Sequence, residues 1–161
     1  MDHIDTILSQ WNAQRPDLDV GVMGLIGRIK RVSHLLQIEM EKTQARHGLN
    51  LASFDVLATL RRAGEPYRLS AGELLASSLV TSGTITHRVD QLVKAGLVKR
   101  MKNPEDGRGV LISLTAKGRR VIDAAASEHV QTQARLVEGL SDGQFDRLNR
   151  LLSQYLVVLE S

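Results

Sequence analysis

The sequence predicts a mainly α-helical chain interrupted once by a short β-hairpin. Three observations carry that expectation. Aromatic residues make up only 3% of the 161, while apolar residues recur at helical spacing along most of the chain. The period changes to short strand-like runs only between residues 97 and 114, around a turn rich in Pro, Asp and Gly. That segment directly follows two short helical stretches separated by a four-residue break.

In order along the chain, Ile4, Ile7, Leu8 and Trp11 mark a first amphipathic helix ending near Arg15-Pro16-Asp17. A longer helix carries Val22, Ile26, Ile29, Val32 or Ser33, Leu36 and Met40, and closes at His47-Gly48, where the glycine reads as a C-cap. Gly21, Gly24 and Gly27 repeat inside it. No strand precedes them, so they are not a dinucleotide-binding loop. Each helical glycine costs about 1 kcal/mol against alanine, and a close helix–helix contact is one reason to keep three of them.

A third helix, Leu51 to Arg62, offers Phe54, Leu57, Ala58 and Leu60 as a buried stripe and stops at Gly64-Glu65-Pro66. Ser70 with Glu73 three residues on is a capping-box pattern that opens a short helix through Leu74, Leu75 and Ala76. Thr81 or Ser82 caps the next, whose Ile85, Val89, Leu92 and Val93 share one face and which Lys94-Ala95-Gly96 closes. Leu97–Met101 and Val110–Leu114 then read as two strands around the polar tip Lys102–Gly109. Thr115 caps a long helix to about Glu138, and Ser141 starts a last one with Phe145, Leu148, Leu151, Leu152, Tyr155 and Leu159 on one side.

Helix, short helix, tight turn, helix and hairpin, in that order, make a winged helix-turn-helix. The expected fold class is therefore mainly α, a winged helix-turn-helix with N- and C-terminal helices forming a dimerisation region. A single domain spans 1–161 on this reading, since domains commonly run to about 100–200 residues. Residues 1–47 and 120–161 supply the dimerisation helices and 50–118 the winged part. The apolar stripes Ile4–Trp11 and Phe145–Leu159 would be left exposed on a lone subunit, and pairing about a two-fold axis would bury them. Closing the subunit's own core is the other use for part of each.

Charge is distributed to match. The formal net charge is +3. Residues 1–81 carry nine basic and nine acidic side chains, and residues 121–161 three and six. Residues 82–120 carry nine basic against three acidic, an excess of +6. A concentrated basic block is the footprint of a polyanion-binding surface, although a solvated charged face gives the same count. Within it, Ser82, Gly83, Thr84, Thr86, His87 and Arg88 occupy the first turns of the second helix of the pair, which fits a major groove about 12 Å wide. Hydroxyls there donate to phosphates or base edges, and Gly83 permits close backbone approach. Lys102 and Arg108 add cations at the hairpin. Arg108 can reach a narrow minor groove, with Asp106 two residues away to orient its guanidinium.

These motifs together resemble the MarR family of dimeric winged-helix transcription regulators, over about Val22 to Leu159. The resemblance rests on Gly48-Leu49, on Phe54 to Leu60 (Phe-Asp-Val-Leu-Ala-Thr-Leu) and on the Ser- and Thr-rich helix with Arg88. Gly96-Leu97-Val98-Lys99-Arg100, the wing Asp106-Gly107-Arg108-Gly109, and Leu114-Thr115-Ala116-Lys117-Gly118 complete it. Gly107 and Gly109 depart from it, since members often carry a second Arg and a small polar residue there. The resemblance implies a homodimer on a pseudo-palindromic double-stranded DNA operator, usually a repressor released by a small ligand. It also implies an effector site at Trp11, Asp55, Arg88 and Arg100, which match in order the Trp, Asp and two Arg of the urate-responsive branch. An Arg binds a planar anion bidentately, a Trp stacks on it and an Asp is repelled by it. Urate or a similar planar anion is one effector class, and a phenolic or aryl carboxylate the other.

Other classes find little support. The chain contains no Cys, so disulfides, thiolate metal sites and thiol oxidation are excluded. The five His have no i,i+4 partner, and no metal site or cofactor is expected. There is no Gly-x-Ser-x-Gly, P-loop or His-Glu-x-x-His, so a catalytic role is not expected. A methyltransferase dimerisation domain would need roughly 150 further residues of catalytic domain. No apolar run reaches the roughly 18–20 residues of a membrane span, and the acidic Met1–Asp5 start is unlike a secretory signal. A cytoplasmic protein without membrane contact is expected. The competing reading is a winged-helix architectural or protein-interaction module with no specific operator.

Overall fold

The computed structural model describes residues 1–78, 82–103 and 109–161, and of residues 82–85 the backbone alone. They form two compact units, Met1–Glu39 and Met40–Ser161.

In the first unit, α1 (His3–Gln14) begins at Asp2, whose carboxylate accepts from the backbone N–H of Ile4 and Asp5 while Asp5 accepts from that of Asp2. This reciprocal cap satisfies the donors that every helix start leaves open. Arg28 of α2 (Gly21–Arg46) reaches back to Asp2 at 2.7 Å and also to Asp5. The repeated glycines explain how the two helices meet. A Cβ on Gly24 would stand 3.0 Å from Leu8 Cδ1, and one on Gly27 would stand 3.3 Å from Ile4 Cδ1. Ile4 is consequently buried within its own chain. Val22, Met23, Leu25, Ile26 and Val32 of α2 are exposed.

In the second unit, α2 ends in a Schellman cap. Gly48 takes φ +68, its N–H donates to Ala45 O, and Leu49 N–H donates to Gln44 O, both at 3.0 Å. Then follow α3 (Leu51–Arg62), β1 (Arg68–Ser70), α4 (Ala71–Ser77), α5 (Ser82–Lys94), β2 (Val98–Lys102), β3 (Val110–Leu114), α6 (Ala116–Val137) and α7 (Asp142–Glu160). The capping box of Ser70 and Glu73 is present at α4. The core gathers Val56, Leu57 and Leu60 of α3 with Leu74, Val89, Leu92, Val98, Ile112 and Ile122. Burying each of the larger of these contributes about 1.5–3 kcal/mol.

Two details differ from the sequence reading. The sheet has three antiparallel strands in the order β1-β3-β2, with Leu69 and Arg100 both opposite Ile112. Three residues are too few to show an alternating pattern, and β1 exists only because β3 offers it an open edge. β2 starts at Val98 and includes Lys102, which pairs with Val110, so Lys102 sits on the strand and not in the tip. Leu97 is spent in the turn after Gly96. Asn103 N–H donates to Gly109 O at 2.8 Å and closes the base of the wing.

α7 has no buried residue. Phe145, Leu148, Leu151, Leu152 and Leu156 are all exposed, at 45–54%. No helix among the described residues is long and apolar enough to cross a membrane.

Candidate nucleic-acid interface and adjoining cleft

α5 is seated by its apolar face. Val89 and Leu92 are buried beneath it, and Thr86 and His87 are turned to solvent. At its end Gly96 takes φ +71, with Gly96 N–H donating to Val93 O and Leu97 N–H to Leu92 O, both at 2.9 Å. This second Schellman cap turns the chain directly into β2. Ser82, Gly83 and Thr84 lie in the first turn of α5, as expected, and their side chains fall outside the described residues. Asp106 and Arg108 also fall outside them. Lys99 and Lys102 of β2 are exposed.

Arg88 behaves differently from its exposed neighbours. It is half-buried. Its Nη1 donates to Gln91 Oε1 at 2.6 Å, and its Nε is buried with no hydrogen-bond partner among the described residues. A buried guanidinium N–H left unpaired costs free energy that a ligand oxygen would recover. Arg88 lines a cleft of about 290 Å³ between the turn leaving α2, the first turn of α3, and α5. Leu49, Leu92 and Leu97 supply the apolar wall and Asn50, Ser53, Arg88 and Gln91 the polar rim. Among the described residues no carboxylate lines it, and the formal charge they bring is the positive one of Arg88.

Arg100, on β2, forms an ion pair with Asp90 of α5 at 2.6 Å, both side chains about half-exposed. Asp55 is buried on α3. Neither lines the cleft that holds Arg88. Trp11 stands on α1 in the other unit and is 41% exposed. Asn50, Ser53, Gln91 and Asp90 were not singled out from sequence. The i,i+3 spacing of Arg88 and Gln91 was the signal available for one of them. Among the described residues no group of three or more His, Cys, Asp or Glu is placed to hold a metal.

Comparison with known proteins bears on this arrangement. The MarR family model matches residues 49–110, which hold α3 to β2 and the start of β3. The transcriptional regulator PecS of Dickeya dadantii is 36% identical over 94% of this chain and 91% of its own. The transcriptional repressor YetL of Bacillus subtilis is 31% identical over 84% and 81%. The crystal structure of a mutant MarR from E. coli complexed with operator DNA is 26% identical. It covers 91% of this chain and 97% of that one, with a TM-score of 0.72. With an identity above 30% across nearly the whole length of a relative, and a winged helix-turn-helix in the matched segment, the chain belongs to the MarR family of transcription regulators.

Proposed function

We propose that the chain is a homodimeric repressor that binds a pseudo-palindromic operator and is released from it by a small planar anion. The observation that carries the DNA half is the division of α5 into a buried Val89–Leu92 face and an outward Thr86–His87 face inside the basic segment. Ser82, Gly83, Thr84, Thr86 and His87 are assigned to the major groove, Lys102 to phosphate, and Arg108, oriented by Asp106, to the minor groove. The operator complex of the E. coli relative supports the same use of the fold. The exposed stripe of α7 supports the dimer, since two copies paired through it would set their recognition helices roughly 34 Å apart.

For the anion, Arg88 is the first contact. Its unpaired Nε, the all-neutral rim of Asn50, Ser53 and Gln91 and the leucine wall suit a carboxylate or urate-like oxygen on a flat apolar body. Asp55, Arg100 and Trp11 complete the set that the resemblance implies. Urate-like and aryl-carboxylate effectors are separated by a thermal-shift series with urate, salicylate and cinnamate, in which the binding class raises the unfolding midpoint. Trp11 is the only Trp, so an unchanged emission on binding removes it from the site. For DNA, Arg108→Ala should weaken operator binding more than it lowers the unfolding midpoint, with a smaller salt slope. Unchanged operator affinity refutes the wing assignment. Diffuse, sequence-independent binding by the unmutated protein points to an architectural module instead.

A further inference from the structure

We infer that Thr115, Lys117 and Gly118 are positioning residues for operator recognition: they lock the end of α5 to the start of α6 and thereby fix the angle at which α5 is presented to DNA. This rests on α5 being the DNA-reading helix.

The last carbonyls of a helix have no partner inside it. In α5 the Schellman cap takes those of Leu92 and Val93, and α6 supplies partners to the carbonyls just past the helix. Lys117 Nζ donates to Ala95 O at 2.9 Å, which also places a cation at the negative end of α5. Thr115 Oγ1 donates to Gly96 O at 2.8 Å, and Thr115 N–H donates to Leu97 O at 3.1 Å. The same hydroxyl accepts from Gly118 N–H at 3.0 Å as the N-cap of α6. A hydroxyl has one proton to give and lone pairs to receive, and this one spends both across the joint between two helices. Gly118 leaves no clearance: a Cβ there would sit 1.9 Å from Leu97 O.

The far half of α6 is tied as firmly to the end of α2. Thr43 and Thr132 share a buried hydrogen bond of 2.8 Å, and Glu128 accepts from Arg46 at 2.7 Å and lies 2.6 Å from His47 Nε2. α6 is 22 residues long, about 33 Å at 1.5 Å per residue. A helix fixed at both ends carries a displacement of one end to the other, so α5 is held in register with the body of this unit through Thr115, Lys117 and Gly118, none of which need touch DNA.

The test uses an operator selected from randomised duplexes by the unmutated full chain. Thr115→Val and Lys117→Met should each bind it about three- to tenfold more weakly, because a joint loosened by one net hydrogen bond leaves fewer molecules with α5 at the binding angle. The salt slope should stay at the unmutated value, and discrimination against an operator with one base pair added between half-sites should fall. Thr115→Ser and Lys117→Arg should restore both. Folding is checked by thermal unfolding. Should Thr115→Val not fold, the exposed Lys117 pair carries the test alone. Affinity within twofold of the unmutated protein overturns the inference, as does failure of the conservative variants to rescue. A Lys117→Met salt slope shallower by about 0.9 puts Lys117 on a phosphate and overturns its positioning role. If the unmutated chain selects no sequence at all, the reading of α5 itself fails, and that is visible before any variant is made.

Discussion

Leu151→Ala/Leu152→Ala on α7 tests the assembly most directly. The two leucines are 54% and 47% exposed, together about one whole leucine of uncovered surface per chain. At about 0.8 kcal/mol per buried methylene-sized group, truncating one leucine-equivalent on each of two chains removes at most ~5 kcal/mol of association free energy. Adjacent residues on a helix point about 100° apart, so one of the pair faces the partner more squarely and the lower bound is ~2 kcal/mol. The dissociation constant should therefore rise by roughly 30-fold to a few thousandfold. Sedimentation equilibrium across a concentration series reads this directly. No residue of α7 is fully buried within its own chain, so the monomer unit should keep its thermal transition. A dissociation constant within threefold of the unmutated value would falsify the assignment of α7 as the self-association face, and an unmutated protein that stays monomeric would do so outright.

Other consequences follow from the same structure. Leu57→Ala, at a site with 0% exposure, should cost about 2–5 kcal/mol in urea unfolding, and less than about 1 kcal/mol would mean that α3 is not the core helix. Gly24→Val should destabilise the first unit by about 1–3 kcal/mol, because the added carbons meet Leu8; a rise in stability would contradict the contact. Burial pushes the His129 imidazole below its ordinary value of 6.5, beside the Phe54 ring at 4.6 Å. The folded state thus favours the neutral ring. Nothing is lost above pH 6.5, but below it the unfolded chain takes the proton first and stability declines. His129→Leu should flatten the unfolding midpoint through that range, and an unaltered pH profile would exclude His129. Glu128 is held below its ordinary 4.5 by Arg46 first and then His47, so its contribution is present above pH 4.5 and fades beneath. Glu128→Gln should blunt the loss of stability below pH 4.5, as read from urea midpoints.

Much of this fold is written locally. Gly48 and Gly96 announced two helix ends because only a residue free at positive φ closes a Schellman cap there. Ser70 and Glu73 announced α4 through a cap that needs no distant partner. What escaped was written in pairs far apart in sequence. Arg68–Ser70 is a strand by virtue of residues 111–113, and Gly118 is a glycine because of the carbonyl of Leu97. The candidate site divides the same way. Arg88 and Arg100 stood out as cations in a basic block; i,i+3 spacing was the one sequence signal for Gln91 as a partner of Arg88, while Asp90 as the partner of Arg100 became visible only with side-chain geometry. The shared wall of Leu49, Leu92 and Leu97 needed three elements to converge.

The clearance at Gly118 also sets how freely this sequence can drift. Every missense change of a glycine codon adds a Cβ, and at residue 118 that atom lands 1.9 Å from a backbone oxygen which no rotamer can move aside. At Gly72 and Gly143 the same atom meets nothing within 4 Å. These glycines therefore carry opposite evolutionary loads, with residue 118 closed to any side chain and residues 72 and 143 sterically open.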